Sequence, residues 1–177
     1  MLKIRKVKII LVGYMGSGKT SVGKVLAEKL KLPFFDLDAF IERAEEKTIS
    51  ALFEAEGQIR FRIKEHDYLN DLLKNEDNFV LATGGGAPCY SGNMKSILDA
   101  TRHVFYLRVS IPELERRLAP EKAERPLIAH LSDDEMTAFL GKHLFERNNF
   151  YLEAHHTIAC DGKSMEEIAS EIEKCLI

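Results

Sequence analysis

The 177-residue chain reads as an α/β protein with a mainly parallel sheet and helices on both faces. Two observations predict this. Short apolar runs rich in β-branched and aromatic residues alternate with segments of helical spacing, the pattern of strand–helix–strand units. Residues 13–20 read G-Y-M-G-S-G-K-T, a G-x-x-x-x-G-K-[ST] phosphate-binding loop set between a strand-like run and a helical one, which is where such a loop operates.

The elements follow in order. Lys8–Val12 is a β-branched run that predicts a buried first strand. The glycine-rich loop comes next, and its glycines let backbone N–H groups fold around phosphate oxygens. Gly13, Gly16, Ser17, Gly18, Lys19, Thr20 and Ser21 are the candidate nucleotide-binding residues. Lys19 is placed to reach the β- and γ-phosphates and the Thr20 hydroxyl to ligate Mg²⁺. Val22, Val25, Leu26 and Leu30 mark a helix over 21–30, whose positive end points at the same anion. Further strands are predicted at 33–36, 79–83, 103–109 and 157–160, with a long helix over 133–154. Two insertions stand out. Residues 37–73 hold about three helical patterns, enough to build a pocket for a second substrate. Residues 119–131 (A-P-E-K-A-E-R-P-L-I-A-H-L) are polar, with two prolines, and form a candidate mobile lid.

Composition narrows the function classes. Hydrophobic residues make up 45% and charged residues 30%, ordinary for a soluble globular domain, and the length fits one domain. A net charge of −3 gives no general attraction to polyanions, so nucleic acid is not an expected partner. No apolar run approaches a membrane span. Lys3, Arg5, Lys6 and Lys8 interleave with apolar residues and read as a solvated strand entry, not a targeting signal. Cys89, Cys160 and Cys175 are scattered and odd in number, as expected of free thiols in a reducing cytoplasm. His155 and His156 are adjacent and would face opposite sides of a strand, which argues against a zinc site. Without a periodic exposed apolar face, a monomer is expected.

Several residues beyond the loop carry potential chemistry. Asp36 and Asp38 end the second strand at i and i+2, where both would face the ligand crevice. One could support Mg²⁺ through water and the other accept a proton, although Asp38 could also simply cap a helix starting at 39. Arg62 and Glu65 are i, i+3 neighbours: a surface ion pair, or a guanidinium oriented to clamp a carboxylate. Gly84, Gly85 and Gly86 follow the third strand and permit close backbone approach to a ligand. Arg125, in the lid, could neutralise charge on a transferring phosphoryl group. Arg147 and Tyr151 sit one turn apart late in the long helix.

In combination these residues resemble the shikimate kinase family. Its markers are a phosphate loop, D-x-D, G-E-x-x-F-R-x-x-E, G-G-G, R-P-L in a lid and R-x-P-x-Y. All six positions occur in order between Gly13 and Tyr151. Two depart in detail: Gln58 replaces the acid after Gly57, and Asn149 stands where proline is usual. Glu124, directly before Arg125, has no counterpart that explains it. The resemblance implies a three-layer P-loop kinase fold with a five-stranded parallel sheet in the order 2-3-1-4-5. It also implies transfer of the ATP γ-phosphate to the 3-hydroxyl of shikimate, in chorismate and aromatic amino-acid biosynthesis, with Mg²⁺ required. Asp38 would bind shikimate and act as base, and Asp36 would support the metal through water. Arg62, oriented by Glu65, and Arg147 would hold the substrate carboxylate. Gly84, Gly85 and Gly86 would line the pocket through backbone groups, Arg125 would swing in with the lid, and Arg116 or Arg117 would contact adenine. The rival readings are another small-molecule kinase of the same fold, gluconate-kinase-like or acting on nucleoside monophosphates, and a nucleotide-dependent binding module without catalysis. Intact Lys19, Thr20, Asp36 and Asp38 argue against the last.

Overall fold

A computed structural model describes residues 7–176; Lys3, Arg5 and Lys6 of the basic start lie outside them. Five strands, β1 (Lys8–Val12), β2 (Phe34–Asp36), β3 (Phe79–Ala82), β4 (His103–Arg108) and β5 (His156–Ala159), form one sheet in the order β2-β3-β1-β4-β5. Every pairing is parallel, with Ile10 opposite Leu81 on one side and Val104 on the other. Successive strand residues point to opposite faces. Ile9, Ile10, Leu11 and Val12 are all fully buried, so both faces of the sheet are covered, which is why the central strands are continuously apolar.

The helices are α1 (Lys19–Leu30), α2 (Leu37–Glu45), α3 (Ile49–Asn75), α4 (Asn93–Ala100), α5 (Ile111–Leu118), α6 (Asp133–Tyr151) and α7 (Met165–Lys174). Helix α1 packs on β1, β2 and β3 and beside α7. Their starts are legible in the chain. Ser110 accepts a hydrogen bond from the Glu113 N–H, while Ser132 with Glu135 and Ser164 with Glu167 form reciprocal capping boxes.

The insertion at 37–73 resolves into α2 and α3, and α3 breaks at Gly57 (φ 79°, ψ 168°), so three helical segments are present. Three expectations are corrected. Asp38 is not at a strand end: the chain is already helical from Leu37, and Asp36 caps α2 by accepting from the Ala39 N–H at 3.2 Å. His155 precedes β5, which starts at His156, where the imidazole stacks on Phe105 at 4.8 Å. The segment 119–131 is not a plain polar loop. It forms a 3₁₀ turn over Ala119–Glu124, and Ile128 is fully buried in the core.

Candidate active site

The carboxyl ends of β2, β3 and β1 are neighbours in the sheet, so the loops leaving them meet at one edge. A cleft of about 530 Å³ opens there. From β1 the phosphate loop contributes Gly16, Gly18, Lys19, Thr20 and Ser21 to its wall. Gly13 and Ser17 lie beneath: Ser17 is fully buried, and the Gly13 carbonyl accepts from the Lys19 ammonium at 2.8 Å. That ammonium also donates to the Tyr14 carbonyl at 2.9 Å. Lys19 is only 8% exposed, and burial pushes its pKa from 10.5 down to about 8, against the opposing pull of Asp38 and Asp36.

From β2 come Asp36 and Asp38, one capping α2 and the other in its first turn, both on the cleft. The Thr20 hydroxyl donates to Asp36 Oδ2 at 2.6 Å. This places two oxygen ligands of the kind a hard divalent cation takes at the start of α1. Burial first, and the Asp36 carboxylate second, raise the Asp38 pKa, while Lys19 and Arg62 pull it back.

From β3 come the three glycines, and each makes room for a different group. A Cβ on Gly84 would sit 2.8 Å from Asp38 Oδ1, and one on Gly86 would sit 2.6 Å from Arg62 Nη2. On Gly85 it would press on the Met15 amide nitrogen at 3.2 Å. Gly84 and Gly85 border the cleft, while Gly86 lies under the Arg62 guanidinium. The requirement at 84 and 86 is therefore space for functional side chains.

Beyond the Gly57 kink, α3 presents Arg62. Its Nη1 donates to Glu65 at 2.6 Å, and Glu65 is 1% exposed. The pair is thus buried, not a surface bridge. Burial raises the Glu65 pKa and the Arg62 charge opposes the rise. The guanidinium lies over the Tyr90 ring at 4.2 Å and near Phe53 and Phe61, a stacked cradle that restricts its plane. Arg62 Nε is buried with no hydrogen-bond partner among the described residues. Arg147, on α6, donates to the His143 carbonyl at 3.4 Å. The charges of Arg147 and Arg62 both bear on the Cys89 thiol, whose pKa burial nonetheless raises to about 11. Neither arginine lines the cleft itself.

The far end of the cleft is basic. Arg125 donates to Glu121 Oε2 from Nη2 at 2.5 Å and from Nε at 3.1 Å. Both Arg116 and Arg117 border the cleft, but differently. Arg116 is largely exposed, whereas Arg117 is half-buried and donates to the carbonyls of Ser17 and Cys160, each at 3.3 Å. Glu113 holds both arginines and its own pKa is pulled down by those bonds. Sequence reasoning missed Glu113, although its i+3 and i+4 spacing to the two arginines is the available signal. It also missed Tyr90 and Met165, which reach the site only through tertiary packing.

A parallel sheet in the order β2-β3-β1-β4-β5, with a lysine-bearing phosphate loop at the edge of β1 and a carboxylate and guanidinium beside it, defines a P-loop kinase that uses ATP. The comparisons narrow this. The model of the family described as shikimate kinase matches residues 15–177. The shikimate kinase of Flavobacterium psychrophilum is 43% identical, over 96% of this chain and 98% of its own length. The crystal structure of shikimate kinase from Bacteroides thetaiotaomicron superposes with a TM-score of 0.88 at 36% identity, covering 96% of this chain and 98% of that one. Shikimate kinase from Acinetobacter baumannii, in complex with shikimate, gives 0.86 at 36% identity, covering 96% and 92%. The chain belongs to the shikimate kinase family.

Proposed function

We propose that this protein transfers the γ-phosphoryl group of ATP to the 3-hydroxyl of shikimate, giving shikimate 3-phosphate and ADP, and that residues 1–177 act as one kinase domain. The observation that carries the reading is the convergence of Lys19, Asp38 and Arg62. The first two share the cleft, and the Arg62 charge reaches the Asp38 carboxylate. Arg62 and Arg147 hold the acceptor carboxylate, which aims one hydroxyl at the γ-phosphorus, and Asp38 takes that hydroxyl's proton as the oxygen attacks in line. Positioning supplies most of the rate, because phosphoryl transfer asks little covalent chemistry of the protein. Lys19 and Arg125 stabilise the phosphoryl oxygens, with Arg125 leaving Glu121 as the lid closes over the cleft and excludes water. Thr20 and Asp36 would hold Mg²⁺, the latter through water; when bound, the ion neutralises phosphate charge. Arg117, resting on the loop backbone, is the better placed of the two candidate adenine contacts.

We also propose a monomeric cytoplasmic protein. No helix among the described residues is long and apolar enough to cross a membrane. The exposed large apolar side chains among the described residues, Ile59 and Ile63 on α3, Leu127 in the 119–131 segment, Phe145 on α6 and Leu152 just after it, are spread over separate elements, as single exposed apolar residues commonly are on monomers.

Replacing Arg62 by alanine removes the oriented fork. Shikimate KM should rise about 10- to 100-fold, the worth of one charged hydrogen-bonded contact at about 1.5–3 kcal/mol, while ATP KM changes little. An unchanged shikimate KM would remove Arg62 from the carboxylate clamp. A second expectation concerns pH. Since kcat/KM reports the free enzyme, and Lys19 binds phosphate only when protonated, kcat/KM for ATP should fall as pH rises through about 8. A flat profile to pH 10 would contradict that role. Phosphorus–proton correlated NMR of the product tests the reaction itself: phosphorus should couple to the proton at carbon 3 of shikimate, in one-to-one yield with ADP. Coupling at another carbon would overturn the proposed orientation.

A further inference from the structure

His143, Arg147 and Tyr151 recur every four residues along α6, which sets them on one face of the helix. The two outer side chains end on loops of the active site. The Tyr151 hydroxyl donates to the Gly85 carbonyl. His143 Nδ1 lies 2.7 Å from Tyr14 Oη, and the two rings meet edge-on at 5.5 Å. Between them Arg147 reaches back to the His143 carbonyl.

Tyr14 belongs to the phosphate loop and is 3% exposed. Its carbonyl accepts from Lys19 while its hydroxyl meets α6, so one residue joins the nucleotide lysine to the helix that bears Arg147. Burial first, and then Arg147, lower the His143 pKa to about 4, and burial raises that of the Tyr14 hydroxyl. Both partners are neutral near pH 7, so the contact is a neutral hydrogen bond that salt does not screen. A phenylalanine at 14 would fill the same buried space. What the hydroxyl adds is direction, a fixed rotation of α6 at the turn that precedes Arg147. Asn148, one residue beyond, is held by the Tyr106 hydroxyl at 3.0 Å, so this segment of α6 is gripped from both the loop and the sheet.

We propose that Tyr14 and His143 are positioning residues for the acceptor: their hydrogen bond registers α6 against the phosphate loop and so sets where Arg147 meets the acceptor carboxylate. This rests on the reading of Arg147 as a carboxylate-binding arginine.

Steady-state kinetics with Mg·ATP and shikimate test it. Tyr14→Phe should raise shikimate KM about three- to tenfold, the range of one neutral hydrogen bond, with ATP KM within about twofold and little loss of Tm. His143→Phe should match it, and His143→Asn, whose amide oxygen can stand near Nδ1, should recover most of the loss. In an Arg147→Ala background Tyr14→Phe should add nothing, because the two changes act through one group. If Arg147→Ala raises shikimate KM but Tyr14→Phe does not, or the two effects multiply, the positioning role is overturned while the clamp stands. If Arg147→Ala leaves shikimate KM unchanged, the clamp reading itself fails. A Tyr14→Phe variant that loses stability and affinity for both substrates together would mark the hydroxyl as merely structural and overturn the proposal.

Discussion

Lys19→Ala is expected to lower turnover by about 10³-fold or more, the upper end of what removal of one preorganised electrostatic donor costs. The ammonium is the buried cation of the phosphate loop, held by two loop carbonyls at 2.8 and 2.9 Å, and nothing else on the loop carries a positive charge. The variant should still fold, because two effects of the substitution oppose each other. Removing a buried ammonium whose pKa falls from 10.5 to about 8 relieves a folded-state penalty of roughly 3 kcal/mol, present below pH 8 and lost as pH rises toward 10.5. Leaving the Gly13 and Tyr14 carbonyls without that donor costs about 1–3 kcal/mol each. Tm should therefore stay within several degrees of the parent, and thermal unfolding beside an activity assay separates lost chemistry from lost structure. Turnover within tenfold of the parent would show that Lys19 is not the main protein counter-ion.

Asp38→Asn is expected to lower kcat by about 10²- to 10⁴-fold, the usual worth of a general base, with ATP affinity retained. The substitution keeps the shape of the side chain in the space left by Gly84 while removing the ability to take a proton and the negative charge that faces Lys19 and Arg62. Burial and the Asp36 carboxylate raise the Asp38 pKa, which makes it a better base than a solvated aspartate. Near-normal kcat in the variant would take Asp38 off the catalytic list and leave acceptor orientation as its role.

The five strands and the phosphate loop were legible in the chain because their physics is local. Continuous apolar runs such as Lys8–Val12 can be stable only as buried strands here, and the loop signature includes its own flanks. Element edges were less legible. Asp36, not Asp38, caps α2, because the helix begins as soon as the strand loses its β3 partner after Asp36, which pairs with Ala82. The positions of Asp38, Arg62 and Arg125 could be named from motif order, but their surroundings could not. Tyr90 beneath Arg62 and His143 against Tyr14, 129 positions away, are contacts made only by the folded chain, whereas Glu121 on Arg125 is an i, i+4 pair whose spacing was there to be read. The glycines at 84–86 were legible as a site of close approach; the folded chain adds that Asp38 packs against Gly84 and Arg62 against Gly86, beside the cleft that Gly84 and Gly85 border. Gln58 and Asn149, the two departures from the family pattern, leave α3 kinked at Gly57 and α6 helical through Tyr151.

Which acceptor the cleft selects decides between this kinase and its rivals of the same fold. ADP release from Mg·ATP should be measured in parallel with shikimate, gluconate and AMP, and with the methyl ester of shikimate. Release that depends on shikimate, falls sharply with the ester and is absent with gluconate and AMP is the predicted result: the ester and AMP lack the carboxylate that the proposed Arg62 and Arg147 clamp takes, and the open chain of gluconate does not fix a hydroxyl at one distance from its carboxylate as the shikimate ring does. Release driven by gluconate or AMP, or equal rates with shikimate and its ester, would contradict it.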